Sequence, residues 1–307
     1  MRHVLFVMGL TLILLCQAAP AEADCAGCVV RAEQFWGVVH AQVTSTTPAM
    51  ALYLARHELA HGHATAPNYY LTADCGMRPE ELSSTLDIAK SLDVHMTIFL
   101  MGLMIDRWPD QSRALLRRVV AEGHELALHS YDHKSFVGMS REQIYDEVVR
   151  NWALVDWALG YHYPMRFIRM PYGARNDTVF ADVGALGVQS VFWDIDSFGW
   201  RDWATVPIVE QQVVSKMRPG AIVVFHCSSA ADRSALPLYV QSLREVGYEP
   251  RLLSTMQAKP SEAEVEAYWR SPHAVRTAAA VGPKTRRDPP GLRRALAMLN
   301  ADGAVVE

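Results

Sequence analysis

At 307 residues, half of them hydrophobic, the chain is long enough to bury a large core in one big domain or two small ones. A formal net charge of −4 leaves no basic footprint for nucleic acid. Beyond the N-terminus no stretch is long and apolar enough to span a bilayer, so no stable membrane span is expected.

The chain opens with Arg2 and His3 ahead of an apolar run over residues 4–15, and Ala21-Glu22-Ala23 supplies a small-x-small cleavage pattern. Residues 1–23 therefore read as a signal peptide, and the mature chain as exported to a periplasm or outside the cell. Cleavage there leaves Cys25, Cys28, Cys75 and Cys227, an even set suited to disulfides or metal ligation in an oxidising compartment. Cys25 and Cys28 read as a local structural disulfide.

Residues 24–66 read as a helical extension broken at 44–48, where Thr47-Pro48 makes a helix start. Within it, His57-Glu58-Leu59-Ala60-His61 is a formal H-E-x-x-H, expected on a helix. Taken alone it suggests a zinc metallopeptidase using His57, Glu58 and His61. The extended third-ligand pattern fails because Ala64 stands where a glycine is required.

From 67 to 257 short apolar runs at 69–72, 96–100, 125–128, 167–169, 188–193, 221–225 and 251–253 alternate with helical periods at 79–92, 111–121, 140–159, 178–186, 206–216 and 236–246. Such alternation implies a mostly parallel sheet with helices outside, as an α/β barrel or a doubly wound sheet. Residues 258–307 change texture. Ser261 to Glu264 forms a capping box for a short helix to about Trp269, and a proline-broken basic tail follows.

In an α/β barrel, working residues collect at the carboxyl ends of strands. Here those ends carry Asp74-Cys75-Gly76, His129 with His133 four residues on, Arg169-Met170-Pro171-Tyr172-Gly173, Asp194-Ile195-Asp196-Ser197-Phe198-Gly199-Trp200, and His226. Two imidazoles at a spacing of four, on a turn opening into a helix, can face one ion. An acid, a thiol, three histidines and an arginine at one rim point to metal-assisted hydrolysis or proton transfer.

These five motifs, in this order, resemble the polysaccharide deacetylase family, the NodB-homology domain of carbohydrate esterase family four, over roughly residues 68–256. The resemblance implies an irregular (β/α) barrel that removes acetyl groups from N-acetylated polysaccharide or oligosaccharide with a divalent metal, commonly zinc. Peptidoglycan, a chitin-like oligosaccharide or an exopolysaccharide would be the partner. By position, Asp74 would be the general base, Arg169 would orient it, His129 and His133 would bind the metal, and His226 would be the general acid. The Tyr172 amide, in the turn set by Pro171, would help hold the oxyanion. Trp200 would wall the sugar pocket.

Two positions depart from the family pattern. Cys75 stands where a metal-binding aspartate is usual. It could ligate zinc as a thiolate, pair with Cys227, or simply pack. Gly199 stands where the carboxylate that supports the catalytic histidine is usual, and Asp196 or Asp202 could stand in. These departures motivate a second reading, a deacetylase-like domain that binds glycan with impaired turnover.

Overall fold

The computed structural model describes residues 26–62, 66–256 and 261–270. The signal segment, Cys25, His63 and the tail beyond 270 lie outside those residues. The elements are α1 (Ala26–Thr44), α2 (Pro48–Arg56), β1 (Asn68–Cys75), α3 (Pro79–Leu92), β2 (Thr97–Leu100), α4 (Gly102–Arg107), α5 (Pro109–Ala121), β3 (Glu125–Leu128), α6 (Arg141–Leu159), β4 (Phe167–Ile168), α7 (Asp177–Ala185), β5 (Gln189–Ser190), β6 (Ile195–Asp196), α8 (Val206–Lys216), β7 (Ile222–His226), α9 (Ala230–Glu245), β8 (Glu249–Arg251) and α10 (Glu262–Arg270). Among the described residues no helix is long and apolar enough to cross a membrane.

The strands form one parallel sheet in the order β5-β4-β3-β2-β1-β7-β6, with β8 also pairing β1. Strands β2 and β3 are buried at every residue, as expected where helices cover one face and a packed interior the other. Alternation along β1 sends Tyr69, Leu71, Ala73 and Cys75 into the large core between sheet and helices. Tyr70 instead joins Phe99, Ala127, Phe167, Val191 and Ile222 in a smaller cluster on the inner side. This is the irregular (β/α) barrel arrangement expected from the sequence.

Helix α1 contributes Ala32, Val39 and Val43 to the main core, so the N-terminal helices are integral to it. Helix α10 opens at the expected capping box, with Ser261 Oγ accepting from the Glu264 amide at 3.3 Å, and buries Val265 against Met50 and Leu54 of α2.

Three local expectations are corrected. The run 188–193 does not form one strand: β5 covers only Gln189–Ser190, Val191 bridges to Leu59 beyond its end, and the next strand, β6, begins at Ile195, outside the run. The Leu59 amide donates to the Ser190 carbonyl at 2.9 Å, and the Phe192 amide to the Leu59 carbonyl at 2.8 Å. Consequently the H-E-x-x-H segment is not helical. His57 ends α2, Glu58 pairs with Arg175, and His61 pairs with Asp194. The segment fills the gap between β5 and β6, and the one-faced helical histidine pair that a zinc peptidase needs is not formed. Finally, α9 begins six residues before the expected 236, with Ser229 Oγ capping the Asp232 amide at 2.9 Å.

Candidate active site

Asp74 lies at the carboxyl end of β1, and its register partner on β7 is His226, so the two residues sit side by side on neighbouring parallel strands. Arg169, just past β4, is wholly buried and donates from Nη1 to Asp74 Oδ1 at 2.7 Å. Its other nitrogen, Nη2, donates to Thr72 Oγ1 at 2.9 Å and to the Phe192 carbonyl at 3.3 Å, while the guanidinium lies over the Phe99 ring. Burial alone would push the Asp74 carboxyl up. The Arg169 guanidinium beside it, with smaller pulls in the same direction from His129 and His226, outweighs burial and holds the carboxyl below its ordinary range.

His129 follows β3 and is buried. Its Nδ1–H donates to the Arg169 carbonyl at 2.8 Å, which leaves Nε2 as the lone-pair nitrogen, 3.6 Å from Asp74 Oδ2. Burial lowers its affinity for a second proton, against the pull of Asp74. His133 lies with its ring centroid 4.9 Å from that of His129, and burial, with His129 beside it, lowers it to about 4. Both imidazoles are thus neutral at physiological pH, the state in which imidazole ligates metal.

The two histidines do not meet on a helix. Residues 129–139 form an irregular loop in which Ser130 and His133 both take left-handed φ values, 64° and 66°. Ser130 Oγ accepts from the His133 amide at 2.9 Å, and Glu147 of α6 accepts from the Tyr131 and Asp132 amides at 2.9 and 3.2 Å. Tyr172 (61°) and Phe198 (58°) adopt the same strained region at this rim. Asp93 is the only other non-glycine residue to do so among the described residues. Such strain persists only where surrounding contacts impose it, and it concentrates at working sites.

Cys75 is corrected as a metal ligand. It is disulfide-bonded to Cys227, with Cα atoms 5.0 Å apart, and both cysteines belong to the core between sheet and helices. A bonded sulfur has no thiolate to offer, and pleating turns residue 75 to the side opposite Asp74. Among the described residues, no three of His, Cys, Asp and Glu gather as one metal-holding group. His129 and His133, beside the Asp74 carboxylate, are the two imidazoles that could hold a divalent cation here. The third protein ligand of the expected trio is missing.

Asp196 is corrected as the support for His226. Its carboxylate accepts from the Phe198 amide at 2.8 Å and from the Trp200 indole N–H at 3.3 Å, so it holds the turn that presents Trp200. The acid beside His226 is Asp232, from the first turn of α9. Asp232 Oδ2 accepts from the His226 amide at 2.9 Å and lies 3.9 Å from His226 Nδ1. Burial pushes the Asp232 carboxyl up. The sequence offered one signal for it, an acid six residues after His226, but His226-Cys227-Ser228-Ser229-Ala230-Ala231-Asp232 reads as a polar loop.

Exposed aromatics line the rim. Tyr172 is 72% exposed with its ring against His133 at 4.6 Å, and the buried Pro171 precedes it in a tight 3-10 turn. Trp200 is 47% exposed and its ring lies 6.4 Å from that of His226. The arrangement combines a buried ionised carboxylate, two neutral imidazoles, a third imidazole across the strand pair, and flat apolar faces for a ligand.

Residues 61–191 match the family model described as polysaccharide deacetylase. The chain is 32% identical over 196 residues to a chitooligosaccharide deacetylase of Bradyrhizobium sp. (strain ANU 289), covering 59% of this chain and 86% of that protein. It is 29% identical over 179 residues to the peptidoglycan-N-acetylglucosamine deacetylase PgdA of Listeria monocytogenes, covering 58% of this chain but only 36% of that longer protein. Among solved structures, a mutant of a family 4 carbohydrate esterase pseudoenzyme from Bacillus anthracis, with restored enzymatic activity, superposes with a TM-score of 0.59 at 25% identity. The match covers 65% of this chain and 71% of the other.

Proposed function

The chain belongs to the polysaccharide deacetylase family, and from that membership we propose that it hydrolyses acetyl groups from N-acetylated sugars of a polysaccharide or oligosaccharide. Chitin-like oligosaccharide and peptidoglycan are the substrate classes named for its relatives. One observation carries the reading. Asp74 is held ionised by a fully buried arginine, faces the lone-pair nitrogen of His129 at 3.6 Å, and has His226 as its strand partner.

Asp74 serves as the general base that takes the proton of the attacking water. Arg169 fixes the orientation of that carboxylate and keeps it charged. The amide of Tyr172 is offered to the developing oxyanion, a contact worth a few kcal/mol in reactions of this type, roughly 3–4. His226 donates the proton without which the sugar amine is a poor leaving group. A divalent cation such as zinc, held by His129 and His133, would supply acidified water and a polarised carbonyl. Tyr172 and Trp200 would stack on sugar rings. Export fits the leader-like residues 1–23, and the Cys75–Cys227 bridge suits an oxidising compartment.

A second reading, glycan binding with impaired turnover, is favoured by the loss of Cys75 as a ligand and by likeness to a pseudoenzyme whose mutant regained activity. The zinc-loaded mature chain, incubated with N-acetylglucosamine oligomers and with peptidoglycan, separates the two. Acetate release with a matching loss of mass per sugar supports the deacetylase, whereas saturable binding without release supports the second reading.

A further inference from the structure

Gly199 and Asp232 occupy complementary space. A Cβ added to Gly199 would overlap the Asp232 carboxylate at Cγ and at both oxygens, with no other heavy atom nearer. Gly199 does not lie in the left-handed region, so room, not backbone conformation, is what requires a glycine here. The same contact is held from both sides: Ser229 Oγ donates to the Gly199 carbonyl at 2.8 Å, and Ser229 also caps the helix that carries Asp232.

Two buried polar atoms at this spot lack hydrogen-bond partners, His226 Nδ1 and Asp232 Oδ1. Buried polar atoms of native proteins are nearly always paired, so an imidazole nitrogen left without a partner beside a carboxylate invites explanation. Asp232 has no exposed surface, and the Asp232 Oδ2 to His226 Nδ1 separation is 3.9 Å. That is longer than a hydrogen bond, but pairs of this kind are often long without substrate and tighten when it binds. Asp232 also accepts from the backbone amide of His226. One carboxylate oxygen therefore holds the main chain of His226 and also faces the inward edge of its ring.

Resting on the acid role proposed above for His226, we infer that Asp232 is its positioning residue, reaching from α9 through the space that a side chain at residue 199 would otherwise fill. With Nδ1–H turned to the carboxylate, Nε2 is left at the open edge of the ring, where the leaving amine must be met. Asp196, already committed to the Phe198 amide and the Trp200 indole, is not available for this task.

The test reads the His226 tautomer by nitrogen NMR of histidine-labelled, full-length mature protein, and acetate release in parallel. In the wild type, neutral His226 is expected as the Nδ1–H tautomer. Asp232→Ala should abolish the preference for Nδ1–H, because no carboxylate oxygen then faces Nδ1, and kcat should fall about 10²-fold or more with KM within about twofold. The double variant Asp232→Gly with Gly199→Asp should recover the Nδ1–H tautomer and most of kcat, a rescue that a packing role does not give. An unchanged tautomer in Asp232→Ala would overturn the inference, as would a double variant no better than Asp232→Gly. Because the tautomer is read without turnover, a wild type that releases no acetate counts against the deacetylase reading alone.

Discussion

The guanidinium of Arg169 and the carboxylate of Asp74 meet at 2.7 Å in a pair almost entirely cut off from water, the arginine fully buried and the acid 8% exposed. Removing one partner of such a pair leaves an uncompensated buried charge. Arg169→Gln should therefore cost about 3–5 kcal/mol of stability. Adding Asp74→Asn to it should recover part of that loss, since the stranded charge is gone. Urea unfolding of the single and double variants checks this; strictly additive costs would contradict it.

The Cys75–Cys227 bridge closes a separation of 152 residues and ties the strand bearing Asp74 to the strand bearing His226. Cys75→Ser should cost about 2–5 kcal/mol of stability. Zinc affinity, measured by competition with a chelator at a temperature where both proteins are folded, should stay within about twofold, because a bridged sulfur is no ligand. A tenfold or greater loss of affinity would return Cys75 to the metal.

Tyr172 and Trp200 are exposed beside His133 and His226. A loss of roughly 1 kcal/mol of stacking corresponds to about fivefold in affinity. Trp200→Ala should raise KM for acetylated oligosaccharide by about that factor while kcat changes little. An equal fall in kcat at constant KM would mean that the indole acts on the reacting centre rather than on sugar binding.

His124, remote from the site and 5% exposed, accepts from the Met96 amide through Nδ1 at 3.2 Å. Burial, reinforced by His95, lowers it to about 4. Its unfolded counterpart titrates near 6.5, so between those values the unfolded chain binds a proton that the native one refuses. The stability it contributes is present above pH ~6.5 and is lost as pH falls through about 4. His124→Asn should flatten the pH dependence of unfolding free energy across that window, by at most about 3 kcal/mol. An unaltered slope would show that His124 does not carry it.

Much of the barrel was legible because its signals are local. Helix α3 and α8 run over the residues that periodicity marks, and β3 matches its apolar run. What escaped depended on partners distant in sequence. The H-E-x-x-H segment has helical spacing, yet its backbone hydrogen bonds go to Ser190 and Phe192, some 130 residues on. The clustered imidazoles follow from their spacing on the turn segment ahead of α6, but the left-handed φ values that bring them together carry no signal in the sequence. No local pattern says which sulfur lies across the sheet, so the residues around Cys75 are equally compatible with a ligand, a bridge or simple packing. Asp232 was hidden in a stretch of small and polar residues, and only the packing against Gly199 shows what it touches.

If Asp74 is the base that acts beside the two imidazoles, acetate release by wild-type and Asp74→Asn protein of equal, measured zinc content must differ sharply. Steady release is expected from the wild type and a loss of about 10²-fold or more in Asp74→Asn, with zinc retained by both. Equal release from the two proteins would contradict the role of Asp74 as base.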